Sequence, residues 1–476
     1  MKRGSGVLMH ISSLWGEYGI GSFGKSAKEW IDVISKMGFT YWQTLPFCIT
    51  DDYNSPYKSF SAFSINPFFI DLDLLFEDEL LLKEELISAK ENSPYLCEFD
   101  RLKKERLPLL KKAALRFKDW DKVDAFLKTH PHTNNFCRFM ALKEANENKH
   151  WTDWETDDFN DSTLKAWQFI EYTAFTQWLT IKAYANKKGV QIIGDVPIYV
   201  SDDSADVWSK KDNFLLDEKG KPQSIAGVPP DYFSKDGQLW GNPLYNWAKM
   251  KKDGFSWWKD RIAFMCELFD GVRIDHFRGL EAYFSIPANE KTAKNGKWIK
   301  GPGMAFINAI KPIVKDKLII AEDLGDITPE VHALVEKSGF PGMSVLQFGF
   351  LGDDNSPHLP HNYKNNLVSY TGTHDNNTLL GYMWESDEQT KQKILDYFGY
   401  NGDWNSCYDT ILRTMFQSSS GLVILPLQDL LLYGSDTRLN KPGNACDNWA
   451  FRITSEQINL IDKEKFLKWN KLYARI

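Results

Sequence analysis

The sequence predicts a (β/α)8 barrel, on the basis of three observations. Short apolar runs recur along the chain, and they are continuous rather than alternating, as expected of parallel strands buried on both faces. Helical patterns separate several of these runs, and acidic residues lie at the ends of four of them. In a parallel barrel, the functional residues lie at the carboxyl ends of the strands. The eight candidate strands are residues 7–12, 39–45, 190–196, 269–275, 317–322, 343–348, 367–373 and 421–427.

Two connecting segments illustrate the helices expected between the strands. Residues 25–37 have a helical pattern, and residues 328–337 begin with Thr328 as the expected N-cap and Pro329 at the first helical position. Residues 19–24 fit the G-x-G-x-x-G pattern of dinucleotide binding, but residues 14–18 separate them from the preceding strand. We therefore interpret these glycines as a tight loop before the first barrel helix.

The remaining length predicts large insertions. A bare barrel needs about 250 residues, which leaves roughly 220 residues for excursions. We expect one insertion at about 50–185, rich in Lys, Glu, Leu and Trp and mostly helical, and a second at about 198–260. Within the second, residues 226–247 combine Pro, Gly and aromatic residues without periodicity, which predicts an active-site loop. We interpret residues 1–476 as a single catalytic barrel domain without a separate C-terminal β domain.

Composition excludes several other classes of protein. Hydrophobic residues make up 43% of the chain and charged residues 25%, which is typical of a soluble globular protein. The net charge of −7 argues against a nucleic-acid or anionic-membrane partner. The N-terminus does not resemble a signal peptide, and no apolar stretch reaches the roughly 18 residues of a membrane span. The six cysteines are scattered without a C-x-x-C pair, so we expect reduced thiols in a cytoplasmic protein.

Aromatic residues are abundant, at 14% of the chain with 18 Trp. One interpretation is a large aromatic core, because these side chains bury much surface. The other is that some aromatic side chains in loops form platforms for sugar rings.

Four acidic residues lie at predicted strand ends. Asp195, Asp275, Glu322 and Asp375 end the third, fourth, fifth and seventh strands. Burying an ionised carboxylate costs several kcal/mol, so such positions require a reason. An isolated acid of this kind is commonly a helix cap or a loop hydrogen-bonder. Four of them at one end of a barrel instead predict a shared pocket.

These acids suit retaining glycosidic transfer, which uses two carboxyl groups about 5–5.5 Å apart. Asp275 suits the nucleophile, because Arg273 lies on the same face of the strand and would keep it ionised. Glu322 suits the acid/base, because partial burial after an apolar strand would raise its pKa. Asp375 would stabilise positive charge in the transition state, and His374 can donate a hydrogen bond to a sugar hydroxyl. Asp195 would help to hold Arg273 or a sugar.

The motifs around these residues resemble a known family. Gly-Val-Arg-Ile-Asp-His-Phe-Arg-Gly (271–279), Ala-Glu-Asp-Leu-Gly (321–325) and Gly-Thr-His-Asp-Asn (372–376) resemble the 4-α-glucanotransferases of the α-amylase clan, also called amylomaltases or disproportionating enzymes. Further matches occur in the same order, and the resemblance extends over about residues 6–452. These matches are residues 55–57, 194–200, 231–234 and 238–245.

The resemblance implies an activity and a set of roles. The family moves a segment of α-1,4-glucan from one chain to the 4-hydroxyl of another sugar, without a cofactor or metal. The resemblance implies Asp275 as nucleophile, Glu322 as acid/base and Asp375 as transition-state stabiliser, supported by Arg273 and His374. The implied substrate-binding residues are Ser55, Tyr57, Asp195, Tyr232, Phe233 and Trp240.

Three features depart from the family pattern. Lys58 follows Ser-Pro-Tyr where the family usually has Gln, which puts a contact near the donor site in doubt. Residues 438–449 are expected to be shorter than in many members. No starch-binding module is expected before the first strand, which predicts weak affinity for large granular substrates.

The choice between transfer and hydrolysis is predicted to depend on the loop 226–247. Transfer is favoured where sugar binds and water is excluded, and Tyr232, Phe233 and Trp240 would supply stacking surfaces. The alternative is a structural loop packed on the barrel. Two rival functions remain: a hydrolase of the same clan, and an inactive glucan-binding protein that retains the cleft. The intact Asp275, Glu322 and Asp375 argue against the second rival.

Overall fold

The computed structural model describes residues 1–50, 53–230, 235–444 and 446–476. Eight parallel strands form one sheet in the order β10-β11-β12-β1-β2-β3-β6-β9, and the other four form a small antiparallel sheet. The strands of the described chain are β1 (Gly4–Leu8), β2 (Tyr41–Gln43), β3 (Gln191–Val196), β4 (Ser224–Val228), β5 (Gln238–Pro243), β6 (Gly271–Ile274), β7 (Ala282–Pro287), β8 (Lys297–Lys300), β9 (Leu318–Ala321), β10 (Gly342–Val345), β11 (Leu367–Tyr370) and β12 (Leu422–Pro426).

The parallel sheet curls into a barrel, which confirms the predicted fold class. Its two end strands, β9 and β10, meet where the Ala321 N–H donates to the Pro341 carbonyl oxygen at 2.9 Å. The Met343 N–H donates to the side chain of Asp323 at 2.7 Å, so a carboxylate supplies part of the closing contact. Carboxyl ends of all eight strands therefore face one mouth of the barrel.

The first strand begins earlier than predicted. It spans Gly4–Leu8 instead of residues 7–12, and Ile11–Ser13 form a 3-10 turn. Glycines weaken the strand signal because they have no side chain to pack. At Gly6 that lack is required, because an added Cβ would lie 2.7 Å from the Cβ of Tyr41 on the adjacent strand.

The helices include those predicted around the barrel. The predicted helix 25–37 is α1, which begins after Gly24, and the predicted helix 328–337 is α12. Thr328 occupies the N-cap position of α12, but its side chain makes no capping hydrogen bond to the backbone. The helices of the described chain are α1 (Lys25–Lys36), α2 (Leu72–Glu77), α3 (Lys83–Ser88), α4 (Phe99–Arg116), α5 (Trp120–Thr129), α6 (Pro131–Ala145), α7 (Asp161–Lys187), α8 (Ala205–Ser209), α9 (Trp247–Lys252), α10 (Ser256–Leu268), α11 (Met304–Ile310), α12 (Pro329–Ser338), α13 (Leu346–Gly349), α14 (Leu379–Glu385), α15 (Glu388–Phe398), α16 (Trp404–Gln417), α17 (Leu427–Leu430), α18 (Ser455–Ile458) and α19 (Lys463–Leu472).

Helices α2–α7 lie between β2 and β3, and an aromatic cluster attaches them to the barrel. Trp178 of α7 is fully buried, and its indole N–H donates to the Leu268 carbonyl oxygen at 2.9 Å. Its ring packs edge-to-face on Phe47 at 4.5 Å, and Phe269 packs on both rings. Much of the tryptophan content therefore serves the core. The fully buried tryptophans are Trp30, Trp42, Trp167, Trp178 and Trp258.

The segment 226–247 differs from the prediction of a loop without secondary structure. It contributes to the antiparallel hairpin of β4 and β5, which joins β7 and β8 in the order β5-β4-β7-β8. Glycine conceals the pattern in the sequence: an added Cβ at Gly227 would lie 2.1 Å from the Gln238 carbonyl oxygen. Strands β7 and β8 belong to an excursion between β6 and β9 that the sequence analysis does not predict.

Candidate active site

Arg273 is the buried centre of the polar cluster at the barrel mouth. It pairs in register with Asp195 across β3 and β6, so the two side chains lie on the same face of the sheet. Its guanidinium donates to Asp195 Oδ2 at 2.5 Å and to Asp275 Oδ1 at 2.8 Å. Burial acts to lower the pKa of Arg273, but the two carboxylates raise it above the ordinary value. Arg273 therefore stays charged and orients both acids.

Asp195 is completely buried and connects the barrel to the first insertion. The Tyr57 hydroxyl donates to Asp195 Oδ2 at 2.6 Å. Burial raises the pKa of Asp195, although Arg273 opposes the shift. Asp195 Oδ1 has no hydrogen-bond partner among the described residues. The Tyr57 ring stacks on His374, with ring centres 4.9 Å apart and an interplanar angle of 18°.

Glu322 follows β9 directly, and its carboxyl group is buried. It accepts hydrogen bonds from the backbone N–H of His276 at 2.7 Å and of Leu324 at 2.9 Å. His276 adopts a left-handed conformation (φ 48°, ψ 48°), which is uncommon for a residue with a side chain. Burial raises the pKa of Glu322 to about 7, and the charge of Asp275 adds to the shift while Arg273 opposes it. The group is thus able to hold a proton near neutral pH.

Asp375 lies on the loop after β11, and its side chain is 47% exposed. His374 Nε2 lies 3.3 Å from Asp375 Oδ2, and the Asn440 side-chain amide donates to Asp375 Oδ1 at 2.6 Å. Partial burial acts to raise the pKa of Asp375, but His374 and Asn440 lower it to about 2. Asp375 is therefore ionised across the physiological pH range.

The predicted binding residues occupy different positions relative to this cluster. Trp240 on β5 is half-buried, and its ring packs edge-to-face on His276 with centres 4.9 Å apart. Ser55 accepts a hydrogen bond from the Tyr57 N–H at 3.3 Å and so shapes the loop that carries Tyr57. Tyr232 and Phe233 lie outside the described residues.

Residues that the sequence analysis does not select complete the site. Arg438 donates to the Asp375 carbonyl oxygen at 2.5 Å. The buried ring of Trp449 lies 5.9 Å from the rings of both Tyr57 and His374. The sequence analysis considers residues 438–449 only for their length, because their partners are distant in sequence and no local motif marks the contacts.

No group of three or more His, Cys, Asp or Glu side chains in the described ranges has the geometry to hold a metal ion. Among the same residues, no helix is both long and apolar enough to cross a membrane.

Comparisons with known proteins identify relatives that match nearly the whole chain. The 4-alpha-glucanotransferase of Clostridium butyricum is 42% identical over 492 residues, covering 98% of this chain and 100% of the relative. That of Thermus thermophilus is 38% identical over 488 residues, covering 96% of each. The structure of the amylomaltase from Streptococcus agalactiae in complex with acarbose matches with a TM-score of 0.95 and 37% identity, covering 100% of both chains.

Fold, site and these relatives together define a glycosyl-transferring barrel enzyme. A family model described as 4-alpha-glucanotransferase matches residues 9–458. The chain belongs to the 4-alpha-glucanotransferase family. This membership confirms the resemblance inferred from the sequence motifs and the predicted enzyme class.

Proposed function

We propose that the protein moves a segment of an α-1,4-glucan to the 4-hydroxyl of an acceptor sugar, through a covalent intermediate on Asp275. One observation carries the assignment of roles. Asp275 and Glu322 follow adjacent strands, and their environments differ: Arg273 pairs with Asp275, whereas burial raises the pKa of Glu322 to about 7. Two carboxyl groups whose environments separate their protonation states suit a nucleophile and an acid/base.

The first step cleaves the donor. Glu322 gives its proton to the glycosidic oxygen as the bond from that oxygen to the anomeric carbon breaks. Asp275 attacks the anomeric carbon and forms an ester with the retained glucan, while the shortened glucan or glucose leaves. Arg273 favours the ionised nucleophile before attack, because it donates directly to Asp275.

The second step returns the retained glucan to an acceptor. Glu322, now ionised, takes the proton of the acceptor 4-hydroxyl as that oxygen attacks the anomeric carbon. The ester bond to Asp275 breaks, which restores both carboxyl groups and the α-configuration. Water would follow the same path and yield hydrolysis, so the choice depends on what occupies the acceptor side.

The surrounding residues are proposed to bind and stabilise. Asp375 is ionised and half-exposed, which suits a carboxylate that opposes positive charge on the sugar ring. Asp195 Oδ1 has no hydrogen-bond partner among the described residues, which suits a bond from a sugar hydroxyl, and Tyr57 donates to Oδ2. Ser55, His374 and Trp240 are proposed as further contacts. Tyr232 and Phe233 remain predicted contacts.

Malto-oligosaccharides are the proposed substrates. The related amylomaltase from Streptococcus agalactiae forms a complex with acarbose, and this supports an oligosaccharide ligand for the present cleft. The proposed location is the cytoplasm, because all six cysteines are free and such thiols persist in reducing compartments.

Incubation with maltotriose as the only sugar tests the proposed reaction. Transfer is expected to produce glucose together with oligosaccharides longer than maltotriose. A product mixture of glucose and maltose alone would support the rival hydrolase. Unchanged maltotriose, in a sample that still binds the sugar, would support the rival glucan-binding protein. An Asp275→Asn sample is the matched blank for contaminating glycosidases.

Trp240→Ala is expected to weaken use of the glucan while preserving the fold. The ring lies beside His276, next to the proposed nucleophile, and stacking surfaces of this kind contribute about 0.5–1.5 kcal/mol. KM for maltotriose should therefore rise about two- to twelvefold, with a small change in melting temperature. Trp404→Ala on α16 is the control, because Trp404 is also partly exposed and packs on Tyr400. Equal KM values for the Trp240 variant and wild type would count against the role of Trp240.

A further inference from the structure

We infer that Asn440 is a positioning residue that fixes the carboxylate of Asp375 for the transition state. The inference rests on the proposed function, in which Asp375 opposes positive charge on the sugar ring. Asn440 lies 65 residues beyond Asp375 in the chain, on the segment after the last barrel strand. Asn440 contacts the side chain of Asp375, so we expect it to affect the reaction by orienting Asp375.

Asp375 needs such a partner because of where it lies. Its loop follows β11, and nearly half of its side chain is exposed, so packing restricts its rotamer less than it would restrict that of a buried side chain. Asn440 donates to Oδ1 at 2.6 Å, and His374 approaches Oδ2 at 3.3 Å. The shorter of these two contacts is therefore the one from Asn440.

Hydrogen bonds at both the N–H and the carbonyl oxygen of Asn440 hold its backbone in place. Its N–H donates to the His374 carbonyl oxygen at 3.1 Å. Its carbonyl oxygen accepts a hydrogen bond from Arg438 Nε at 2.7 Å, and the same guanidinium donates to the Asp375 carbonyl oxygen. The side chain thus projects from a segment that is joined to the Asp375 loop at two points, through the Asn440 N–H and the Arg438 guanidinium. A donor fixed in this way can hold its acceptor to the tolerance that catalysis requires.

The chemistry of the amide also suits the role. A neutral N–H orients a carboxylate and favours its ionised form without adding a positive charge. A lysine or arginine at this position would pair with the negative charge that the transition state uses. Arg438, the nearby cation on this segment, instead donates to backbone carbonyl oxygens.

The first test is Asn440→Ala. Loss of a hydrogen bond to a charged group corresponds to about 1.5–3 kcal/mol, so kcat for transfer should fall about ten- to a hundredfold. KM for maltotriose should change little, because the ground-state contacts of the sugar remain. Asn444→Ala is the matched control: it lies on the same segment, is exposed, and its hydrogen bonds to described residues stay within that segment. Crystal structures of both variants show whether Asp375 has rotated.

The second test is Asn440→Asp, which gives a readout that a purely structural residue would not give. Two carboxylates at 440 and 375 would repel, so the new acid should have a raised pKa. When protonated it can donate to Asp375 and replace the lost amide. The ratio of Asn440→Asp activity to wild-type activity should therefore rise as pH falls from about 8 to about 5. The ratio for Asn440→Ala should stay constant.

Other titratable groups face Asp375, but wild type, Asn440→Ala and Asn440→Asp all contain them. They are His374, Arg273 and Tyr57 within the cleft, and Arg438 with its neighbour Glu385. Their titration affects wild type and variants together and cancels in the activity ratio.

The outcomes separate this inference from the proposed function. An unmoved Asp375 in the Asn440→Ala crystal, or a kcat equal to wild type, overturns the inference. A pH-independent ratio for Asn440→Asp also overturns it. Failure of the proposed function would appear differently: wild-type protein incubated with maltotriose would form no oligosaccharides longer than maltotriose. In that case the rotation of Asp375 in the crystal still decides whether Asn440 positions it.

Discussion

Asp275→Asn is expected to reduce kcat for transfer from maltotriose by about a thousandfold or more while the protein stays folded. An amide does not form the glycosyl ester, so the covalent path is closed. The fold should survive because the side chain of Asp275 is partly exposed and Arg273 keeps its second partner, Asp195, at 2.5 Å. The buried guanidinium thus remains paired, which avoids the cost of an isolated buried charge.

Kinetics and mass spectrometry of the trapped glycosyl peptide check this prediction. A rapidly quenched mixture of wild type and α-maltosyl fluoride should contain a peptide around Asp275 that carries the added sugar, and the variant should not. Asp326→Asn is the control, since Asp326 is an exposed carboxylate on the loop after β9. Activity of Asp275→Asn within about tenfold of wild type, with no contaminating glycosidase, would remove Asp275 from the nucleophile role.

The barrel is predictable from the sequence because its signals are local. Most of the barrel strands lie in short apolar runs, and burial on both faces favours that pattern whatever the neighbours are. The strand-end acids are predictable for the same reason. In a parallel barrel, residues at carboxyl ends converge, so Asp195, Asp275 and Glu322 need no further information to be grouped.

Other parts of the structure depend on contacts that no local pattern records. The hairpin of β4 and β5 uses Gly227 for close approach of two backbones, and glycine in a sequence indicates a loop more readily than a strand. Asn440 and Trp449 reach the site from beyond the last barrel strand. No local pattern in the sequence marks either residue, so only the folded chain reveals that they contact Asp375, Tyr57 or His374.

The acidic side chains of the site are held in place in two different ways. Arg273 is supplied by the barrel and orients Asp195 and Asp275 through strand register. Asp375 is supplied by a loop and depends on the segment that carries Asn440. The carboxyl group proposed as nucleophile is thus held by the sheet, whereas the carboxylate proposed to stabilise the sugar cation depends on a contact between two loops.

Glu322→Gln is expected to separate the two steps of the reaction. With maltotriose, the loss of general acid catalysis should lower kcat about 10²- to 10⁴-fold. With α-maltosyl fluoride the leaving group needs no proton, so Asp275 can still displace fluoride and form the ester. The second step lacks its base, so fluoride release should show a burst and then stall. Azide, which attacks without losing a proton, should restore turnover and yield an α-maltosyl azide.

The activities of wild type and of Glu322→Gln should also depend differently on pH. The pKa of Glu322 is raised to about 7 from an ordinary value near 4.5, so the protonated acid is present below pH 7 and is lost as pH rises through it. Wild-type kcat/KM for maltotriose should therefore fall on the alkaline side of pH 7. The variant with α-maltosyl fluoride should lack this fall, because no proton is donated in its first step. A variant that keeps the same alkaline fall, or that azide does not rescue, would assign the acid/base role to another group. The glutamine amide keeps one oxygen for the N–H of His276 or Leu324 but turns its NH2 toward the other N–H, so the melting temperature of the variant is measured beside its kinetics.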